Sequence, residues 1–183
     1  DIAFDNSTLH PGEYIMEKQC SGGYLGLLSL VVLKNAAKEN LFSKKMAAQI
    51  AAMEKLTLID VNTFLHGPYD SSSLLGKMCI DSASKNDYEV LFELLDAIVE
   101  RSARYAASML AAAVIQSGGG KDLSRPVCIL CNGTTFHKTY KIAMRTAAYL
   151  EDVLFNEKGL SFELVSVEND ITLGAAIAGL IER

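Results

Sequence analysis

After Pro126 the chain reads strand, helix, strand, helix with short links, and this order restricts the possible folds more than any other feature. "VCILC" is a strand, and residues 138 to 156 carry apolar residues at helical spacing. "LSFELVSV" is a second strand and "TLGAAIAGLIE" a closing helix. Strands joined through a helix run parallel, with a right-handed crossover. Two strands do not complete a parallel sheet, whose faces must be covered and edges paired. The chain is therefore read as α/β and helix-rich, with a βαβα unit over 126–183 and its missing strands N-terminal to Asp1.

The turn after the first strand is "NGTT", Asn132 to Thr135. Asn-Gly ordinarily signals a hairpin, but the following "TYKIAMRTAAYLEDVLF" is helical. Ligands of open parallel sheets bind outside the carboxyl ends of the strands. There Gly133 lets the backbone pass close to a ligand, Thr134 and Thr135 bring hydroxyls, and a helix start favours anions. Two readings stand: a phosphate site, or ordinary turn and capping residues. The end of the second strand, "SVENDITLGAA", lies beside it if the strands are neighbours, and its Gly174, Ala175 and Ala176 suit tight packing or the border of a flat ligand.

Residues 1–117 read as mainly helical. One helix follows Pro11, and "SGG" at Ser21 to Gly23 interrupts the pattern. A strongly apolar helix runs from about Tyr24 to Asn40, and "SKKMAAQIAAMEKL" has Ser43 as its cap. "LIDVNTFLHGPYD" is ambiguous up to the Gly67-Pro68 breaker. A short helix covers Ser72 to Asp81, and a long one runs from about Asn86 to Gln116, with Ala and Ser on successive turns for close approach. "SGGGKDLSRP" has no strand before it and no helix after it, so it reads as a connection rather than a phosphate cradle.

With 183 residues, half of them apolar, one domain with a sizeable core is expected. The net charge of −5 argues against a broad basic surface for nucleic acid or acidic membranes. The longest apolar stretch, Tyr24 to Leu33, is too short to span a bilayer, and no secretion signal opens the sequence. A cytoplasmic protein with neither nucleic-acid nor membrane partners is expected. The opening "DIAFDNSTLHPGE" has no initiator Met and reads as a cut through a longer polypeptide. The two sequons, at Asn6 and Asn132, carry little meaning without that signal. Cys128 and Cys131 form a CxxC, but strand positions three apart face opposite ways and no second CxxC follows. Buried, reduced thiols are expected, with no metal site.

Three separated segments together resemble a known family. "STLHPGEYIMEKQCSGGYLG" is similar to the hexokinase family's Asn-Pro-Gly…Glu-Lys…Ser-Gly…Tyr-Leu-Gly segment. "ILCNGTTFHK" resembles its second phosphate motif, and "VSVENDITLGAAIAGLIE" its adenosine segment. "VERSARYAASMLAAAVI" is similar to the family's Arg-Ala-Ala helix. The match spans nearly the whole chain, 1–183, in the right order. It implies the C-terminal half of a hexokinase, an incomplete large lobe of the actin-like (ribonuclease H-like) ATPase fold.

The resemblance implies roles residue by residue. Glu17 matches the carboxylate that accepts hydrogen bonds from sugar hydroxyls, a task suited to its several acceptor sites; read without the family, it is a solvated first-turn Glu. Gly133 and Thr134 match ATP phosphate contacts, with Asn132 where Asp is usual. Thr135 is next to them and reads equally as a cap. Asn62 and His66 stand where animal enzymes place Thr and Ser near the nucleotide, and Asp170-Ile171-Thr172 replaces Gly-Ser-Gly in the adenosine segment. His10, Glu13, Tyr14 and Leu27 also depart from the pattern, and His137 takes the place of a usual Lys. His66 and His137 read equally as surface or half-buried imidazoles.

The implied activity is transfer of the ATP γ-phosphoryl group to the 6-hydroxyl of glucose or a related hexose, with Mg²⁺ brought by the nucleotide. The family's catalytic Asp, first Gly-rich loop and most sugar contacts belong to its N-terminal half, the expected partner of this segment. Asp60, Asp70 and Asp170 lie in contexts unlike the family's base motif, so no catalytic residue is assigned. The segment alone is expected to be inactive. The alternatives are a non-catalytic sugar-binding regulator on the same fold and a helical interaction module.

Overall fold

The computed structural model describes residues 1–167 and 170–181. Seven helices come first: α1 (Ile2–Asn6), α2 (Ile15–Cys20), α3 (Gly22–Lys38), α4 (Lys44–Ala52), α5 (Leu58–His66), α6 (Leu74–Ser82) and α7 (Lys85–Ser117). Then come β1 (Val127–Leu130), α8 (Thr134–Lys138), α9 (Ile142–Leu150), a π-helical stretch (Glu151–Glu157), β2 (Phe162–Val165) and α10 (Asp170–Ile181). Among the described residues no helix is long and apolar enough to cross a membrane.

Side-chain caps set several of the helix starts. Ser43 accepts from the Met46 N–H at the start of α4, and Ser73 from the Gly76 N–H at the start of α6. Thr57 with Asp60, and Ser84 with Asp87, form reciprocal capping boxes on α5 and α7. The ambiguous "LIDVNTFLH" is thereby settled as helix, starting where its Thr-x-x-Asp pattern falls.

The 33-residue α7, about 50 Å long, runs through both halves of the fold. Its Leu91, Leu95 and Val99 join Leu33, Ile50, Phe64 and Leu75 in one core with α3 to α6. Farther along, Ala107, Ala111 and Val114 pack with Ile129 of β1, Leu150 of α9 and Leu154 of the π-helical stretch. The small residues of α7 do serve close approach there.

β1 and β2 pair in parallel, with Val127 opposite Phe162 and Leu130 opposite Val165. Ile129 is buried while Cys128 and Leu130 are exposed, so one face of β1 meets the helices and the other is bare. This corrects the expectation of uniformly buried thiols. Cys79 and Cys131 are buried, Cys20 is intermediate and Cys128 is exposed, because the bare face carries it. All four are free.

Two helix boundaries also differ from expectation. The helix after Pro11 begins only at Ile15, since Tyr14 takes a left-handed conformation (φ 52°) and residues 10–14 form a loop tied back to α1. The helix read over 138–156 starts earlier, at Thr134, and breaks between Lys138 and Ile142, where Lys141 is left-handed (φ 54°). A tertiary contact described below holds that break open. "SGGGKDLSRP" is a connection: Gly118 ends α7, and the Gly120 carbonyl accepts from the Ser161 N–H just before β2.

Candidate functional site

The parallel pairing brings both strand ends to one side. The Cys131 N–H donates to the Val165 carbonyl at 2.8 Å, and the Ser166 hydroxyl donates to the Cys131 carbonyl at 3.2 Å. Beyond Cys131 the chain turns outward through exposed Asn132 and Gly133. Gly133 has φ 89° and ψ 153°, a conformation that side chains resist, so the turn needs glycine for its backbone alone. α8 follows at once, and its Phe136 packs against both main cores, fixing the helix on the body.

The facing wall is the start of α3. A Cβ on Gly22 would sit 2.5 Å from the Thr135 hydroxyl, so the backbone of α3 presses directly on α8. One turn on, a Cβ at Gly26 would lie 2.5 Å from the Leu56 carbonyl and 2.6 Å from the Leu58 nitrogen. That contact brings the start of α5 alongside. Between these walls lies a cavity of about 590 Å³, bordered by Gly22, Gly23, Leu58, Asn62, Thr134 and Lys138, with Ile59, Thr135 and Thr139 completing it. Its size falls in the range of small-molecule sites. Leu58 and Ile59 supply an apolar side, whereas the threonines and Lys138 supply hydroxyls and an ammonium. Such a lining suits a ligand with a flat apolar part and an anionic tail.

The sequence-derived candidates distribute unevenly around this cavity. Thr134 and Asn62 line it, and Asn132 and Gly133 form the turn immediately before Thr134. Asn62 is already engaged: its Oδ1 accepts from the Tyr140 N–H at 2.7 Å, and its Nδ2 donates to the Lys138 carbonyl at 3.0 Å. It holds the break between α8 and α9. His66 is exposed, sets its ring edge-on to Tyr140 at 5.2 Å, and is not among the lining residues. Thr172 is exposed on α10 and is not among the lining residues either. Glu168, Asn169 and the side chains of Asp170 and Ile171 lie outside the described residues.

Glu17 is exposed in the first turn of α2, and its carbonyl accepts from the Ser21 N–H that begins the passage to Gly22. The next residue, Lys18, is 1% exposed. Its Nζ donates to Asp5 and to the His10 carbonyl, each at 2.5 Å, and the Gly12 N–H donates to the same carboxylate at 2.7 Å. The Lys18 hydrogen bond, then that of Gly12, holds the Asp5 carboxyl below the usual carboxylate range. This staple shapes the His10–Tyr14 loop beside Glu17.

Among the described residues no group of three or more His, Cys, Asp or Glu is placed to hold a metal ion. Burial, and next the nearby Asp87, pushes the Cys79 thiol up to about 12. Burial, then Cys128, raises that of Cys131. Both shifts favour the neutral thiol over the thiolate. Sequence reasoning missed Gly22, Gly23, Leu58 and Lys138 as parts of one site, since nothing local marks residues so far apart as neighbours.

The hexokinase family model matches residues 1–181. Hexokinase-7 of Oryza sativa subsp. japonica is 27% identical over 186 residues, covering 97% of this chain and 40% of that protein. Hexokinase-2 of Homo sapiens is 26% identical over 151 residues, covering 79% of this chain and 16% of the relative. The chain thus spans about 40% of the length of its plant relatives. A structure described as hexokinase from Schistosoma mansoni complexed with glucose superposes with a TM-score of 0.70 at 17% identity, over 90% of this chain and 37% of the other. That likeness establishes a common fold.

Proposed function

The chain belongs to the hexokinase family, and on that premise we propose that it is the C-terminal segment of an ATP-dependent hexokinase, transferring the γ-phosphoryl group of ATP to the 6-hydroxyl of glucose or a related hexose. One observation carries the reading. The turn at the end of β1 places Thr134 on a cavity walled by Gly22 and Gly23, which follow directly on the helix that bears Glu17. Nucleotide and sugar functions would then share one continuous stretch of surface.

In this reading the Asn132–Gly133–Thr134 turn receives the phosphates, with Gly133 allowing backbone approach and Thr134 donating its hydroxyl. Glu17 accepts from sugar hydroxyls, and its exposure leaves both oxygens available. Asn62 supports the nucleotide side by holding α8. His66, Asp170 and Thr172 remain assigned to the nucleotide by the family resemblance alone. Mg²⁺ would arrive with the nucleotide and neutralise its phosphate charge. The catalytic Asp and the first Gly-rich loop would come from the N-terminal half of the full-length polypeptide, which would also cover the bare face of β1. The setting is cytoplasmic, where ATP and hexose meet.

The test is glucose-dependent ADP formation, measured for the isolated chain and for the full-length polypeptide. We expect activity in the latter and none in the former. Appreciable turnover by the isolated chain would overturn the division of labour. A full-length protein that binds glucose but neither binds nor hydrolyses ATP would instead favour a sugar-binding regulator.

A further inference from the structure

We infer that Lys138 supplies the positive charge that meets a nucleotide's phosphates in this cavity, in place of His137, which occupies the family's usual lysine position; this rests on the kinase reading above. Among the described residues Lys138 is the only cationic side chain lining the cavity. It stands four residues after Thr134 on α8, so the two share one face of the helix. Positions 137 and 138 flank the Thr134 face on its two sides, three and four residues on, and of the two only Lys138 lines the cavity.

His137 is occupied elsewhere. Its Nε2 lies 3.3 Å from the Cys131 carbonyl and 3.4 Å from the Ser166 hydroxyl, where it bridges the ends of β1 and β2. Lys138 is exposed like His137, but among the described residues no carboxylate pairs with it. Its backbone is fixed even so: Asn62 Nδ2 holds its carbonyl, and the next residue, Thr139, is buried with its N–H bonded to the Thr135 carbonyl at 3.2 Å. A flexible four-carbon stem on a fixed root suits an ammonium that follows a phosphate as a point charge. Position 138 thus presents a cation to the cavity, while position 137 braces the strand ends.

The experiment compares dissociation constants for ADP and for adenosine, by titration calorimetry, in the full-length polypeptide and in its Lys138→Gln, Lys138→Arg and His137→Gln variants. Lys138→Gln should weaken ADP binding by roughly tenfold to a hundredfold, the value of a hydrogen bond to a charged group, with adenosine unchanged. Lys138→Arg should retain most of the ADP affinity, and His137→Gln should leave the ADP-to-adenosine ratio as it was. Unchanged ADP affinity in Lys138→Gln, an equal loss of both ligands there, or the selective loss appearing in His137→Gln would each overturn the assignment. A wild-type protein that binds neither ligand would overturn the kinase reading itself.

Discussion

The Asn62 side-chain oxygen accepts a hydrogen bond from the Tyr140 N–H at 2.7 Å, across 78 residues of sequence. Its Nδ2 closes the other side of the same gap on the Lys138 carbonyl. These two backbone groups sit where α8 has ended and α9 has not begun, so neither has a helical partner.

Removing that clamp should therefore cost stability. Asn62→Ala is expected to lower unfolding free energy by about 1–3 kcal/mol. Asn62→Asp keeps an acceptor for Tyr140 but sets a carboxylate oxygen against the Lys138 carbonyl, so it should be at least as damaging. Urea denaturation of the three proteins checks the order, and equal midpoints would show that the clamp contributes nothing.

Gly26 and Gly22 should respond differently to the same change. At Gly26 the added methyl meets the backbone of Leu56 to Leu58, which cannot rotate away. Gly26→Ala should cost about 2–3 kcal/mol, as overpacking does. At Gly22 the nearest atom is the Thr135 hydroxyl, which a χ1 rotation removes. Gly22→Ala should thus leave stability nearly unchanged while displacing that hydroxyl within the cavity. Thermal melts that rank the two variants the other way would refute the packing argument.

Asp87 links two helix starts. Its carboxylate is fully buried and accepts from the Ser43 N–H at 2.7 Å and the Ser84 N–H at 2.6 Å. Burial pushes its carboxyl up, but the combined hydrogen bonds from Ser43 and Ser84 outweigh that and hold it below its ordinary value. A carboxyl lowered on folding stabilises fully above its unfolded value, near about 4, and loses that contribution as pH falls through the folded value. Acid unfolding should thus be partly due to Asp87. Asp87→Asn should cost about 2–3 kcal/mol at neutral pH and flatten the stability profile below about pH 4.

Lys18→Met should loosen the loop before α2. It leaves the Asp5 carboxylate without its ammonium and frees the His10 carbonyl. A fall of several degrees in Tm is expected, partly recovered in the Asp5→Asn, Lys18→Met double variant, where no charge is left unpaired. On the proposed hexokinase reading, the single variant in the full-length polypeptide should raise KM for the hexose more than KM for ATP, since the loop adjoins Glu17. No recovery in the double variant would exclude a charge effect.

Local signals were readable where the side chain and its partner are close in sequence. Ser43 caps its helix because it meets an N–H three residues on. The boundary errors arise where distant residues intervene. The apolar pattern across Thr139 to Lys141 is continuous, yet α5 reaches over with Asn62 and makes the break worthwhile. Likewise, helical residues after Pro11 give way to a loop because Lys18 and Asp5 hold the His10–Gly12 backbone from outside. Cys128 is exposed because its face of β1 has no cover among the described residues.

By itself, the order of strands and helices after Pro126 determined that β1 and β2 run parallel and end on the same side, because a helical crossover permits little else. It also marked the Asn132–Thr135 turn as standing at that end. Only the tertiary structure decided which residues share the cavity with that turn. Gly22, Leu58, Asn62 and Lys138 meet through the backbone contact at Gly26 and the packing of Phe136 into two cores. Hydrogen bonds within a turn are set by neighbours along the chain. Cavity walls are set by close packing between elements far apart in sequence, and a single missing Cβ governs how nearly those elements approach.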